Sequence, residues 1–243
     1  MRNYATAQLI GGRRYQCDAV AVHTAPNGAT SYVLLDGVGD KERVHQWVPG
    51  AAAALATAAA EAGDAETGLR AEYERYAAEK ARHARHAYDY EPLAAAVVVV
   101  DLPDKPRTIA WSGDARAYLV LDGTLQRITA DHNLRRVYPP CSTYPRGGNR
   151  NKITSCLGAV ETDAEVLAEF DHPAIEFGTL PDVPARLVLA SDGAYEPIED
   201  NGAVLTTYLH GTPAEAAPDL VDTAVAWGGD RPDNATVLIA DLH

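Results

Sequence analysis

Tyr32-Val-Leu-Leu35 is an unbroken apolar, β-favouring run that stops abruptly at Asp36-Gly37. A strand continuous in such residues reads as buried on both faces. The carboxylate at its tip is either a turn former or a ligand, and one Asp-Gly pair does not decide between them. Past the tip, Asp40-Lys-Glu-Arg43 leads into an alanine-rich segment.

The flanking segments suggest how the run is covered. Short strands are expected over residues 6–10 and 18–23, and Asn27-Gly28 reads as the turn of a hairpin into Ser31–Leu35. Residues 41–62 and 65–88 read as two helices separated by Gly63-Asp64, packed as an antiparallel pair. Strands return at Ala94–Asp101, Thr108–Trp111, Ala115–Leu121 and Leu125–Ile128. Residues 131–152 have loop character, rich in proline, glycine and arginine. Arg186–Ala190 is a further buried strand, Pro213–Trp227 a helix and Thr236–Asp241 a last strand. Helices in a block and strands in hairpins give an α+β class, a β-sandwich with helices packed outside.

Composition narrows the function. A formal net charge of −13 disfavours nucleic acid and anionic membrane surfaces as partners. Cys17, Cys141 and Cys156 form no C-x-x-C pair, which points to a reducing compartment. Residues 94–100, the longest apolar run, are too short to span a bilayer. The expectation is a cytoplasmic protein.

Three Asp-Gly pairs separate into two kinds. Asp122-Gly123 lies between two strands and reads as a hairpin turn. Asp36-Gly37 and Asp192-Gly193 each close an intensely apolar strand that no second strand follows at once. Asp233 stands just before a strand, and Asp114 on a tight bend between two. Two readings stand on spacing alone: separate Asp turns, or four carboxylates meeting at one sheet edge. The second requires a compensating cation, and oxygen-only ligands suit Mg²⁺ or Mn²⁺.

The motifs Arg13…Cys17-Asp18-Ala19, Leu35-Asp36-Gly37-Val38-Gly39, Gly113-Asp114-Ala115-Arg116, Thr129-Ala-Asp131-His132, Ile153-Thr-Ser-Cys-Leu-Gly158, Ala190-Ser-Asp-Gly193 and Asp233-Asn-Ala-Thr236, in that order, resemble the metal-dependent Ser/Thr protein phosphatases of type 2C (the PPM family), the bacterial ones most. The resemblance spans nearly the whole chain. It implies one domain over residues 1–243: a four-layer sandwich of two antiparallel sheets flanked by antiparallel helix pairs. It implies hydrolysis of phosphoserine and phosphothreonine esters on a protein substrate by a metal-bridging water, with a cognate Ser/Thr kinase as partner. Asp36 would bridge two Mn²⁺ or Mg²⁺ ions and the Gly37 carbonyl would bind one. Asp192 and Asp233 would complete the pair of sites, and Asp114 would share a third, weaker metal with Asp192. Asp18 would hold a metal-bound water, Arg13 would bind the substrate phosphate, and residues 131–152 would form a flap beside the site.

Departures from the family pattern are Cys17 before the first aspartate, Val38 after Asp36-Gly37, Asp40 where a second glycine is usual, and Ala115 where a serine is common. Asp40 adds charge near the metals, either weakening phosphate binding or acting as a further ligand; Asp40→Gly is expected to give equal or higher activity. None of the departures removes a core ligand.

Rival readings are few. Gly37-x-Gly39 lacks the third glycine of a dinucleotide fingerprint, since Glu42 stands there. His83 and His86 have zinc spacing on a helix but no third ligand. His132 reads as structural, and Cys17 as an inert buried thiol. Arg135, Arg136, Arg146 and Arg150 form either a phosphopeptide-binding cluster or a solvated loop. A metal-dependent nuclease fits the acids but not the negative charge. A catalytically weak phosphatase-like module that binds a partner is the alternative to an enzyme.

Overall fold

The computed structural model describes residues 3–83 and 92–243. Two five-stranded sheets, antiparallel throughout, face one another. The first contains, edge to edge, β1 (Tyr4–Leu9), β10 (Ala235–Leu242), β9 (Ala185–Ala190), β6 (Arg116–Leu121) and β7 (Thr124–Arg127). The second contains β2 (Asp18–Thr24), β3 (Thr30–Gly37), β4 (Ala94–Asp101), β5 (Arg107–Ser112) and β8 (Glu176–Leu180). Helices α1 (Glu42–Ala62) and α2 (Ala65–His83) cover the second sheet, and α5 (Asp192–Asp200) with α6 (Pro213–Trp227) the first. The expected four-layer sandwich is the fold observed.

The continuous apolar strands follow from that layering. Along β3, Tyr32 and Leu34 pack between the sheets, while Val33 and Leu35 pack beneath α1 and α2. Along β9, Leu187 and Leu189 face the inter-sheet core and Val188 and Ala190 face the helices. Each such strand is buried on both faces, so no polar alternation appears in it. The alanines of α1 permit a close helix pair: a Cβ on Gly68 of α2 would stand 2.4 Å from Ala59 Cα. Gly63, at φ 66°, ends α1 in the left-handed conformation, as the Gly-Asp break implied.

The Asp122-Gly123 hairpin is as expected, a two-residue turn with φ of 48° and 76° between Leu121 and Thr124. Between β5 and β6 the outcome is less obvious. These consecutive strands do not pair; Gly113-Asp114-Ala115 carries the chain from one sheet to the other. Gly113, at φ 113°, passes so close to Ala95 that a Cβ would lie 2.4 Å from the Ala95 side chain.

Residues 131–152 carry one short helix, α3 (Leu134–Val137), and otherwise turns. Five elements escaped the periodicity reading: α4 (Asp163–Phe170), α3, β8, α5 and a 3-10 turn at Leu205–Tyr208. All are short. The first does have a local signal, since Thr162 and Glu165 cap it reciprocally. The predicted helix extension over 84–88 and His86 lie outside the described residues, as does the side chain of His83. Among the described residues, no helix is long and apolar enough to cross a membrane.

Candidate active site

The β2–β3 register sets Asp18 directly opposite Asp36. Asp192 begins α5 at the end of β9 and its N–H donates to Asp36 Oδ2 at 3.3 Å. Asp233 precedes β10, and Asp114 sits on the sheet-to-sheet crossing, its carbonyl held by the Tyr195 hydroxyl at 3.0 Å. Arg13, Asp36, Gly37, Asp114, Asp192 and Asp233 line one cleft of about 160 Å³. Asp18 lies beneath, 4% exposed. The structure therefore brings all seven predicted site residues together, while Asp122 stands apart in its hairpin.

Two glycines make this approach possible. A Cβ on Gly37 would stand 2.3 Å from the Cys17 carbonyl oxygen and 2.5 Å from Val44 Cγ1. A Cβ on Gly193 would stand 2.0 Å from the Asn234 carbonyl oxygen. The glycine after each strand-end aspartate is thus a packing requirement rather than a turn preference.

The electrostatics of the cleft are those of a cation site. Burial, and then Asp192, Asp18, Asp114 and Asp233 in turn, push the Asp36 carboxyl well above its usual range. Asp18 is raised to about 8, first by burial and then by Asp192 and Asp233, against hydrogen bonds from Thr236 and Ser191. Burial and Asp233 raise Asp192 to about 6, while burial and Asp192 raise Asp114. Asp18 Oδ2 is buried without a hydrogen-bond partner. Such an arrangement is costly unless a positive charge enters it.

Among the described residues, no three histidine, cysteine, aspartate or glutamate side chains already stand in position to hold a metal ion. Asp233 is turned onto Arg13 in an ion pair, and its Oδ1 accepts the Asn234 N–H at 2.8 Å. The donor set nevertheless fits a divalent cation. It is all oxygen, mutually repulsive and includes an orphaned carboxylate oxygen, which are the requirements of hard ions such as Mg²⁺ and Mn²⁺.

Asp40 borders the cleft, but its carboxylate is engaged elsewhere. It accepts the Arg14 N–H at 3.0 and 3.1 Å and the Tyr15 N–H at 2.9 Å. The expectation that it either weakens phosphate binding or adds a ligand is replaced by a structural one: it clamps the loop carrying Arg13. His132 is fully buried, its ring bonded to Ser155 at 3.0 Å and Glu176 at 2.9 Å, a structural residue as expected. Cys17 is buried beside the site, its thiol raised chiefly by burial.

Sequence reasoning passed over three contributors. Asn234 takes the Cys17 N–H on Oδ1 at 2.7 Å and gives its amide to the Ile10 carbonyl at 2.8 Å, joining the loop ends on either side of Arg13. Its place directly after Asp233 was the available signal. Glu196 lies one turn beyond Asp192 and is raised to about 7 by burial and Asp192. Arg116 makes two 2.9 Å bonds to Asp131, reaches Glu199, and lies 3.7 Å over the Tyr195 ring, fixing α5 against β6.

No family model matches the sequence. Over 131 residues, 54% of the chain, it is 30% identical to the serine/threonine protein phosphatase PstP of Mycobacterium tuberculosis. The matched segment spans only about a quarter (24%) of that protein's length. Solved structures agree along almost all of it. The Streptococcus agalactiae serine/threonine phosphatase superposes with a TM-score of 0.77 at 20% identity, over 99% of both chains. The PPM Ser-Thr phosphatase MsPP of Mycobacterium smegmatis, in complex with cacodylate, gives 0.72 at 22% identity, over 99% of this chain and 98% of that one. The catalytic domain of PstP in complex with two manganese ions gives 0.63 at 22% identity, over 98% and 96%. The chain has the fold of the bacterial PPM-type Ser/Thr phosphatases.

Proposed function

We propose that the chain is a metal-dependent phosphatase acting on phosphoserine and phosphothreonine esters of a protein substrate. One observation carries the reading. Five aspartates from separate strands and loops meet at one edge of a phosphatase-fold sandwich, with a buried carboxylate oxygen left unpartnered.

Asp36, Asp192, Asp233 and the Gly37 carbonyl would hold two divalent cations, Mn²⁺ or Mg²⁺, as the manganese-bound PstP domain does by its own residues. Asp114 would share a third, weaker one with Asp192. Bound there, the cations supply neutralisation of the phosphoryl oxygens and a water of lowered pKa. Asp18, below the floor, orients water through its free oxygen. Arg13, on Asp233 at the cleft wall, is the planar donor available to an entering phosphate. Residues 131–152 flank the cleft as a flap, contributing through Asn151. A Ser/Thr kinase is the class of enzyme that makes this substrate, and the cytoplasm is the proposed compartment.

The test is hydrolysis of p-nitrophenyl phosphate and a phosphothreonine peptide with Mn²⁺ or with EDTA, in wild type and Asp192→Asn. Turnover should require the metal and fall more than about a hundredfold in the variant. Mn²⁺ binding without turnover would point instead to a partner-binding module.

A further inference from the structure

A second cavity, of about 530 Å³, is lined by Arg116, Arg127, Arg135, Arg136 and Arg150. In a chain of net charge −13 this concentration of guanidinium groups stands out. Four of the five are committed. Arg116 and Arg127 share Asp131, Arg136 grips Glu176, and Arg150 bridges Glu196 at 3.0 Å and Asp200 at 2.6 Å.

Arg135 differs. Among the described residues it enters no ion pair, and its Nε is buried without a hydrogen-bond partner. Among the described residues, the other buried side-chain atom in that condition is Asp18 Oδ2, in the carboxylate cleft. A guanidinium stays charged at any physiological pH, and a buried donor left unmade carries its full desolvation penalty. Asp200 acts on its charge across the cavity but is itself bound by Arg150, which leaves the Arg135 Nε–H free to donate to an anion that enters.

The location indicates what carries that anion. Arg150, Glu196 and Asp200 also line an adjoining recess, together with Asp192 and Asp233. Asn151 lines both this recess and the cleft. The Arg150 bridge is the partition between the arginine cavity and the aspartates. A polypeptide seated in the cleft has a neighbouring side chain to place beyond that partition.

Resting on the phosphatase reading above, we propose that Arg135 receives an anionic group of the phosphoprotein substrate, a carboxylate or a second phosphate close to the ester being hydrolysed. Arg135 is then a specificity residue, indifferent to the chemistry itself.

Loss of the threonine phosphate is followed by mass spectrometry for a phosphothreonine peptide with neutral flanks. It is followed in parallel for a series in which each flanking residue in turn becomes Glu or phosphoserine, with p-nitrophenyl phosphate as the flankless control. Wild type should prefer at least one acidic peptide by about tenfold in kcat/KM, through KM. Arg135→Ala should abolish that preference while changing the neutral peptide and p-nitrophenyl phosphate by less than about twofold, and Arg135→Lys should restore part of it. The Glu and phosphoserine arms distinguish the two anions. Absence of an acidic preference in wild type, or an equal loss on all substrates in Arg135→Ala, overturns the proposal. If wild type with Mn²⁺ hydrolyses nothing, the phosphatase reading is what fails. Anisotropy titration of the same labelled peptides then decides: an acidic preference lost in Arg135→Ala upholds the Arg135 site, and equal binding overturns it.

Discussion

The Asp40 carboxylate accepts the backbone N–H of Tyr15 at 2.9 Å, and that of Arg14 beside it. Burial opposes its ionised form, but these N–H donors, together with Arg13 and Arg14, hold its carboxyl below the usual range. It therefore acts on the cleft through the loop that presents Arg13. Asp40→Gly removes the clamp and frees that backbone. The expected result is a severalfold rise in KM for p-nitrophenyl phosphate with kcat kept within about twofold, and recovery in Asp40→Asn, which retains one acceptor oxygen. This reverses the expectation from charge alone. Equal or higher kcat/KM in Asp40→Gly would refute the clamp.

That reversal shows where sequence reasoning stops. The two-sided burial of Val33–Leu35 and Leu187–Ala190 is visible in the chain because both faces of each strand are apolar. The aspartates at strand tips are visible because acids are rare next to such runs. What Asp40 touches is set by a contact 25 residues away, which no local pattern encodes. The Arg13–Asp233 pair spans 220 residues. Strand β8 was missed for a related reason: Glu176 and Gly178 are half-buried, Phe177 and Thr179 exposed, and only Leu180 buried, so its identity comes from pairing with β5. Helices α4 and α6 carry legible caps, Thr162 with Glu165 and Thr212 with Glu215, yet only α6 is long enough for its periodicity to be read.

On the phosphatase reading, the opposition of Asp18 and Asp36 would make metal a folding ligand as well as a reaction component. Removing cations leaves buried carboxylates facing one another, so EDTA should lower Tm. Saturating Mn²⁺ at a hundredfold excess over Kd should add about 2.7 kcal/mol. Asp18→Asn relieves part of the repulsion without changing shape. It should raise the Tm of EDTA-treated protein by about 2–4 °C, while shrinking the Mn²⁺-induced increase. Differential scanning fluorimetry of both proteins in both conditions checks this. A lower Tm for Asp18→Asn in EDTA would mean the carboxylate is not strained by its neighbours.

Within residues 131–152, His132 is held neutral inside the fold. Burial chiefly, and stacked His172, push it down to about 4 against the pull of Glu176. Glu176 shifts the same way: burial acts to raise it, but Arg136 and His132 hold it down to about 2. The unfolded chain titrates these groups near 6.5 and 4.5. Between about 6.5 and 4 the unfolded state binds a proton on His132 that the folded state refuses, so stability rises with pH across that window and is complete above it. The contribution from Glu176 is present above about 4.5 and disappears as pH falls toward 2. Both groups therefore destabilise the fold on acidification, and they titrate as a coupled pair. The cleft carboxyls raised by burial shift stability the opposite way over this range, so the His132 contribution is read as a difference. In urea midpoints measured from pH 7 to pH 4.5, His132→Gln, which cannot take up the proton, should gain stability relative to wild type as the pH falls. Parallel slopes in the two proteins would show that another group governs acid stability.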